Sequence, residues 1–110
     1  MNQRPNGSFL SAETLAAIID IFVEDAPRQI ESIQAAMEHS DHQTVEKISH
    51  KLRGSTEFLG TSGISSLAAA VEEAAILGDT QRLKSVVPGL TAEVQLLLDQ
   101  LVAAESEPDA

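Results

Sequence analysis

The sequence predicts an all-α fold: an antiparallel up-down four-helix bundle with an additional N-terminal helix packed across one end, its last helix kinked or broken near Pro88. Three observations lead there. Apolar residues recur at i, i+3, i+4 and i+7 along most of the chain, which is the spacing of one helical face. Capping residues and glycines interrupt that pattern in short turns, and short turns make consecutive helices antiparallel neighbours. The apolar residues, 43% of the chain, are almost all Leu, Ile, Val and Ala, with Phe9, Phe22 and Phe58 the only aromatics. No strand pattern and no internal repeat interrupts the helical reading.

The elements follow in order. Residues 1–10 contain Pro5 and Gly7 and read as a flexible lead-in to a helical bundle spanning 11–104. Ser11 is placed to cap a first helix over about residues 12–25, with Leu15, Ile18, Ile19 and Phe22 on its inward face. Pro27 lacks an N–H and suits a first helical turn, so a second helix is expected to start there and bury Ile30, Ile33 and Met37. The turn "HSDHQ" offers Ser40, which matches a capping box with Gln43, or Asp41 as the next cap. A third helix then carries Val45, Ile48, Leu52 and Leu59 inward and stops at Gly60, a residue that readily takes the left-handed terminal conformation.

After "TSG", a fourth helix buries Ile64, Leu67, Ala68, Val71 and Ala75 and ends at Gly78, with Asp79 or Thr80 to cap its successor. The last segment places Leu83, Val86, Val87 and Leu90, then Val94, Leu97, Leu98 and Leu101, on one face. Pro88 removes a hydrogen bond within it, so a kink or break is expected at Val87-Pro88-Gly89. Residues 105–110 read as a flexible acidic tail.

A chain of 110 residues has room for one domain with a proper core. With no cysteine it has neither a disulfide scaffold nor a thiolate metal site. No apolar run approaches the ~20 residues that span a bilayer, and "MNQRPNGSFL" lacks the apolar core of a signal peptide, so a cytoplasmic protein is expected, and it is taken to be a monomer. The net charge of −10 opposes binding to nucleic acid or insertion at an anionic membrane.

The chemistry concentrates in "EKISHKLRGSTEFLG", residues 46–60. At about 100° per residue, Val45, Ile48, Leu52 and Leu59 cluster within about 60°, and His50 falls nearly opposite, facing solvent. Gly54, at i+4, lies beside it, where glycine costs up to about 1 kcal/mol relative to alanine. Drift explains a surface glycine; the sharper reading is that a missing side chain lets another molecule reach the imidazole edge. Lys47, Lys51 and Arg53 crowd around His50 in an otherwise acidic protein. A phosphoryl group on His50, with up to two negative charges and three acceptor oxygens, is a load such a cluster can stabilise.

These residues resemble a known signature. "SHKLRGSTEFLG" is similar to the pattern His-x-Leu-Lys-Gly-Ser-Ser, with Leu-Gly a few residues on, of the histidine-containing phosphotransfer (HPt) domain family. "FVEDAPRQIESIQAAM" before it and "LAAAVEEAAILGDTQRL" after it resemble that family's flanking helices. Arg53 stands where lysine is usual and Thr56 where a second serine is common. Arginine keeps the charge as a planar fork instead of a point charge.

The resemblance implies that His50 accepts a phosphoryl group from a receiver-domain aspartyl phosphate and relays it to another receiver in two-component signalling. The implied partners are receiver domains of response regulators or hybrid histidine kinases. No cofactor is expected in this chain, and Mg²⁺ is expected on the partner receiver. Lys51 and Arg53 would stabilise the phosphoryl charge, Gly54 would give access, and Lys47 would lie at the partner contact. By alignment with the family, Glu72, or failing that Glu73, would fix the imidazole tautomer. Phe58, at i+8 from His50, is either semi-buried core or an apolar receiver contact.

Two rival readings remain at this point. A non-catalytic helical module would bind a receiver or another signalling protein without carrying phosphate. A metal-dependent enzyme would need more than His39 and His42, which sit in a turn with no third ligand at suitable spacing. No nucleophile turn or phosphate loop is present, which argues against a stand-alone kinase, and the resemblance implies a phosphocarrier.

Overall fold

A computed structural model describes residues 11–106, leaving the lead-in 1–10 and the tail beyond Ser106 outside the described residues. Four helices fill that span: α1 Ala12–Glu38, α2 His42–Phe58, α3 Ser62–Ile76 and α4 Thr80–Ser106. Among the described residues there is no strand. Consecutive helices pack together and α1 closes the ring against α4, whereas among the described residues the diagonal pairs α1–α3 and α2–α4 have no close backbone approach, α2 and α4 touching through the side chains of His42 and Thr80. That is the neighbour pattern of an antiparallel four-helix bundle.

Two expectations about helix boundaries are corrected, and both concern proline. The expected first and second helices are one, because α1 runs unbroken through Pro27. Among the described residues there is accordingly no additional helix across one end of the bundle. The break expected at Pro88 is not found either, since α4 continues from Thr80 to Ser106.

Both prolines lie on exposed positions, and the carbonyls their rings release belong to half-buried Val23 and exposed Lys84. The buried stripes continue past them: Phe22, Ala26, Ile30, Ile33 and Ala36 in α1, and Leu83, Val87, Leu90, Val94 and Leu98 in α4. A helical proline costs roughly 3 kcal/mol, whereas each fully buried Leu or Ile contributes about 1.5–3 kcal/mol. Tertiary burial therefore carries each helix across its local fault.

The turn signals operate as sequence chemistry dictates. Ser11 caps α1 by accepting the Thr14 N–H at 3.0 Å. Of the two candidates before α2, Asp41 is the cap, accepting from Thr44 N, while Ser40 takes the left-handed conformation at φ 55. Gly60 and Gly78 occupy positive φ at the ends of α2 and α3, and Asp79 accepts the Arg82 N–H at the start of α4.

The helices differ in length. α1 and α4 have 27 residues each, against 17 in α2 and 15 in α3. At about 1.5 Å per residue, the long pair runs some 15 Å beyond the α2–α3 hairpin. Leu15, expected inside, is consequently 38% exposed, and burial in α1 begins only at Phe22. By length and composition α4 is apolar enough to cross a membrane, with a mean hydropathy of 1.3 over its best window. Its most apolar stripe is nevertheless spent on the bundle core.

Candidate functional site

Local folding of α2 fixes which side of it faces outward. Its buried stripe is Val45, Ser49, Leu52 and Thr56, with Ile48 and Leu59 half-buried at the margin. Sequence periodicity missed the two hydroxyl residues because both are polar. Ser49 donates to the Val45 carbonyl and Thr56 to the Leu52 carbonyl, each at 2.7 Å, so neither brings an unpaired group into the core. With that stripe turned inward, the His50 side chain is left 63% exposed.

Facing it is α3, whose buried positions are Ile64, Ser65, Ala68, Val71, Ala74 and Ala75. Small alanines allow close approach of the α3 backbone, and Glu72 rises at the edge of the contact with its side chain only 16% exposed. One Glu72 oxygen, Oε2, lies 2.8 Å from His50 Nδ1. The other, Oε1, accepts a hydrogen bond from Arg53 Nε at 3.0 Å. Glu73 turns away and pairs with Arg82 at 3.7 Å.

The network assigns the tautomer. Burial pushes the Glu72 carboxyl up, but hydrogen bonds from His50 and Arg53, together with the Arg53 charge, outweigh it and hold the group below its ordinary value of 4.5. A carboxylate only accepts, so Nδ1 carries the proton and donates it to Oε2. Arg53 Nη2 also lies 3.1 Å from Nδ1. Both are donors in this tautomer, so that approach is a proximity of charge, not a hydrogen bond. Nε2 keeps its lone pair on the exposed edge of the ring.

A stability effect follows from the direction of the Glu72 shift. Since the folded carboxyl titrates below its unfolded value, its bonds contribute in full above about pH 4.5 and are lost as pH falls through the folded value. Glu72→Gln should flatten the acid limb of a plot of melting temperature against pH. An unchanged limb would remove Glu72 from the acid response.

An open depression of about 650 Å³ adjoins the ring, lined by Thr44, Glu46, Lys47, Ile48, His50, Lys51 and Glu72. Arg53, expected to reach the space beside the ring, does so with Nη2 3.1 Å from Nδ1, while its Nε is engaged on Glu72. A partly shielded carboxylate across the helix interface offered its guanidinium a charge-assisted partner, which a single-helix view does not contain. Gly54 is exposed, and a Cβ built there meets nothing within 4 Å. Phe58 is 49% exposed and lies outside the core cluster. His39 bonds to the Ala35 carbonyl while His42 contacts Thr80 Oγ1. Among the described residues no group of three His, Cys, Asp or Glu side chains is placed to hold a metal.

The fold and site thus define a helical bundle presenting at His50 an accessible imidazole whose Nδ1 is pinned by a carboxylate. The family model of the Hpt domain matches residues 17–104, and the chain belongs to that family. It is also similar to the crystal structure of histidine-containing phosphotransfer protein B (HptB) from Pseudomonas aeruginosa PAO1. That match has 25% identity and a TM-score of 0.67, and covers 76% of each chain. A search of curated proteins gave no match. Histidine phosphotransfer in a phosphorelay is the function this membership gives the chain, and receiver domains are the partners with which Hpt domains interact.

Proposed function

We propose that His50 is the phosphoryl acceptor, with Nε2 as the attacking atom. The observation that carries this is the division of the ring: Nδ1 is held 2.8 Å from Glu72 Oε2, while the side chain is 63% exposed. The Nε2 lone pair attacks the phosphorus of a receiver aspartyl phosphate. An N–P bond forms, the carboxyl O–P bond breaks, and the carboxylate leaves with the bonding pair.

The product is a phosphoimidazolium whose positive charge sits against Glu72. Onward transfer reverses the electron flow: a second aspartate attacks phosphorus, the N–P pair returns to Nε2, and the same Nδ1–H tautomer is restored. The Nδ1 proton stays in place through both steps. Holding the ring in this orientation before encounter is the chain's main contribution, since alignment of the reacting atoms supplies much of the rate.

Lys47 and Lys51 line the depression beside the ring and supply positive charge for the phosphoryl oxygens. Gly54 leaves space for the receiver backbone, and exposed Phe58 gives it an apolar contact, with Lys47 at the same interface. Mg²⁺ belongs to the receiver side of this reading, and no residue of this chain is assigned to it. The reading is of a monomeric cytoplasmic carrier without nucleic-acid or membrane contacts, supported by the net charge of −10 and the partner class.

Incubation with a phosphorylated receiver and Mg²⁺ should place one acid-labile phosphate on the protein, mapped by NMR to Nε2 of His50. A phosphate at Nδ1, or on another residue, contradicts the assignment.

A further inference from the structure

The geometry points to Arg53 as a positioning residue that fixes the imidazole through Glu72, its Nη2 standing 3.1 Å from Nδ1 on the side of the ring held by that carboxylate, leaving Lys47 and Lys51 as the cations that meet the phosphoryl group. This rests on His50 being the acceptor and goes further, dividing the basic cluster into two jobs. Arg53 Nε is bonded to Glu72 Oε1 at 3.0 Å, which reserves Oε2 for His50 Nδ1 at 2.8 Å. The carboxylate is thus clamped from one side and presents one oxygen to the other.

Helical geometry separates the cations. Taking His50 as zero, Arg53 projects at about −60°, toward α3, whereas Lys47 and Lys51 project at about +60° and +100°. The depression beside the ring repeats that division, being lined by both lysines but not by Arg53. Lining it also are the carboxylates Glu46 and Glu72, so an incoming phosphoryl group meets negative charge as well as the lysines. Were Arg53 to swing onto the phosphate, Glu72, 16% exposed, would lose its cation just as a dianion arrived beside it. Keeping Arg53 on Glu72 avoids that repulsion and holds the acceptor of the Nδ1 proton still.

A double-mutant cycle tests this, using the whole protein and uptake of phosphate from a phosphorylated receiver. Arg53→Gln and Glu72→Gln should each slow uptake by about 10-fold to 100-fold, the scale of a misplaced reacting group. The double variant should be no more than about twofold slower than Glu72→Gln alone, because both changes break one chain of contacts. Lys51→Gln should multiply with Glu72→Gln instead. ¹⁵N spectra of His50 should show the Nδ1–H tautomer in the parent and in Lys51→Gln, and a mixture in Arg53→Gln.

If the Arg53 and Glu72 penalties multiply, or if Arg53→Gln slows uptake with an unchanged tautomer, the proposal is overturned. Should glutamine at 53 unsettle α2, Arg53→Met keeps the apolar stem and permits the same comparison. Failure of the underlying reading looks different, with a parent protein that takes no phosphate on His50 at all.

Discussion

A His50→Gln protein should fold normally, still bind a receiver, and carry no acid-labile phosphate. Glutamine is a good helix former, and the imidazole it replaces is 63% exposed, so the core beneath is untouched. The bond to Glu72 is the interaction removed, and the Arg53–Glu72 pair survives it. Thermal stability should therefore change by no more than about 1 kcal/mol. Phosphorylation should drop at least about 1000-fold, to background, since an amide offers no nucleophilic ring nitrogen. Equal labelling of this variant and the parent would rule out His50. A parent that binds receivers without any transfer, matched by His50→Gln, would describe a non-catalytic module.

At Gly54 stability and activity should move in opposite directions. The helix interior penalises glycine by up to about 1 kcal/mol relative to alanine, partly through the freedom of the unfolded chain. Because a Cβ at this position meets nothing within 4 Å, Gly54→Ala adds no internal clash. Its melting temperature should rise, by about 4–8 °C per kcal/mol gained in a domain near this size. Transfer from a phosphorylated receiver should nevertheless slow about tenfold, and more with Gly54→Leu, as the new side chain stands in the partner's path. Any loss must then arise between the molecules and not within this one. Unimpaired transfer in both variants would reduce Gly54 to a neutral surface position.

Those positions were legible because short-range rules govern them. Gly60 and Gly78 ended helices as their φ freedom suggests, and an aspartate capped α2. His50 emerged on the outer face because a 3.6-residue period locates the far side as surely as the near side. The prolines misled for the complementary reason: local preference counts one lost bond, whereas the buried stripes of α1 and α4 act over 27 residues each. Ser49 and Thr56 escaped notice because hydroxyls that bond their own helix behave as small core residues. Glu72 came within reach through family alignment. The engagement of Arg53 Nε did not, since it depends on a carboxylate nineteen positions away across a helix interface.

The division of the imidazole also sets the traffic rules of the relay. On the proposed assignment, with Nδ1 covered by Glu72, one edge of one ring serves the donor and the acceptor receiver alike. The two receivers then compete for a single berth, and loading and unloading alternate in ping-pong order with no three-protein complex between them. Scarce acceptor leaves loaded carriers waiting, and abundant acceptor occupies empty carriers before the donor can reach them. On that assignment, throughput in a reconstituted relay is expected to peak at an intermediate level of the acceptor receiver.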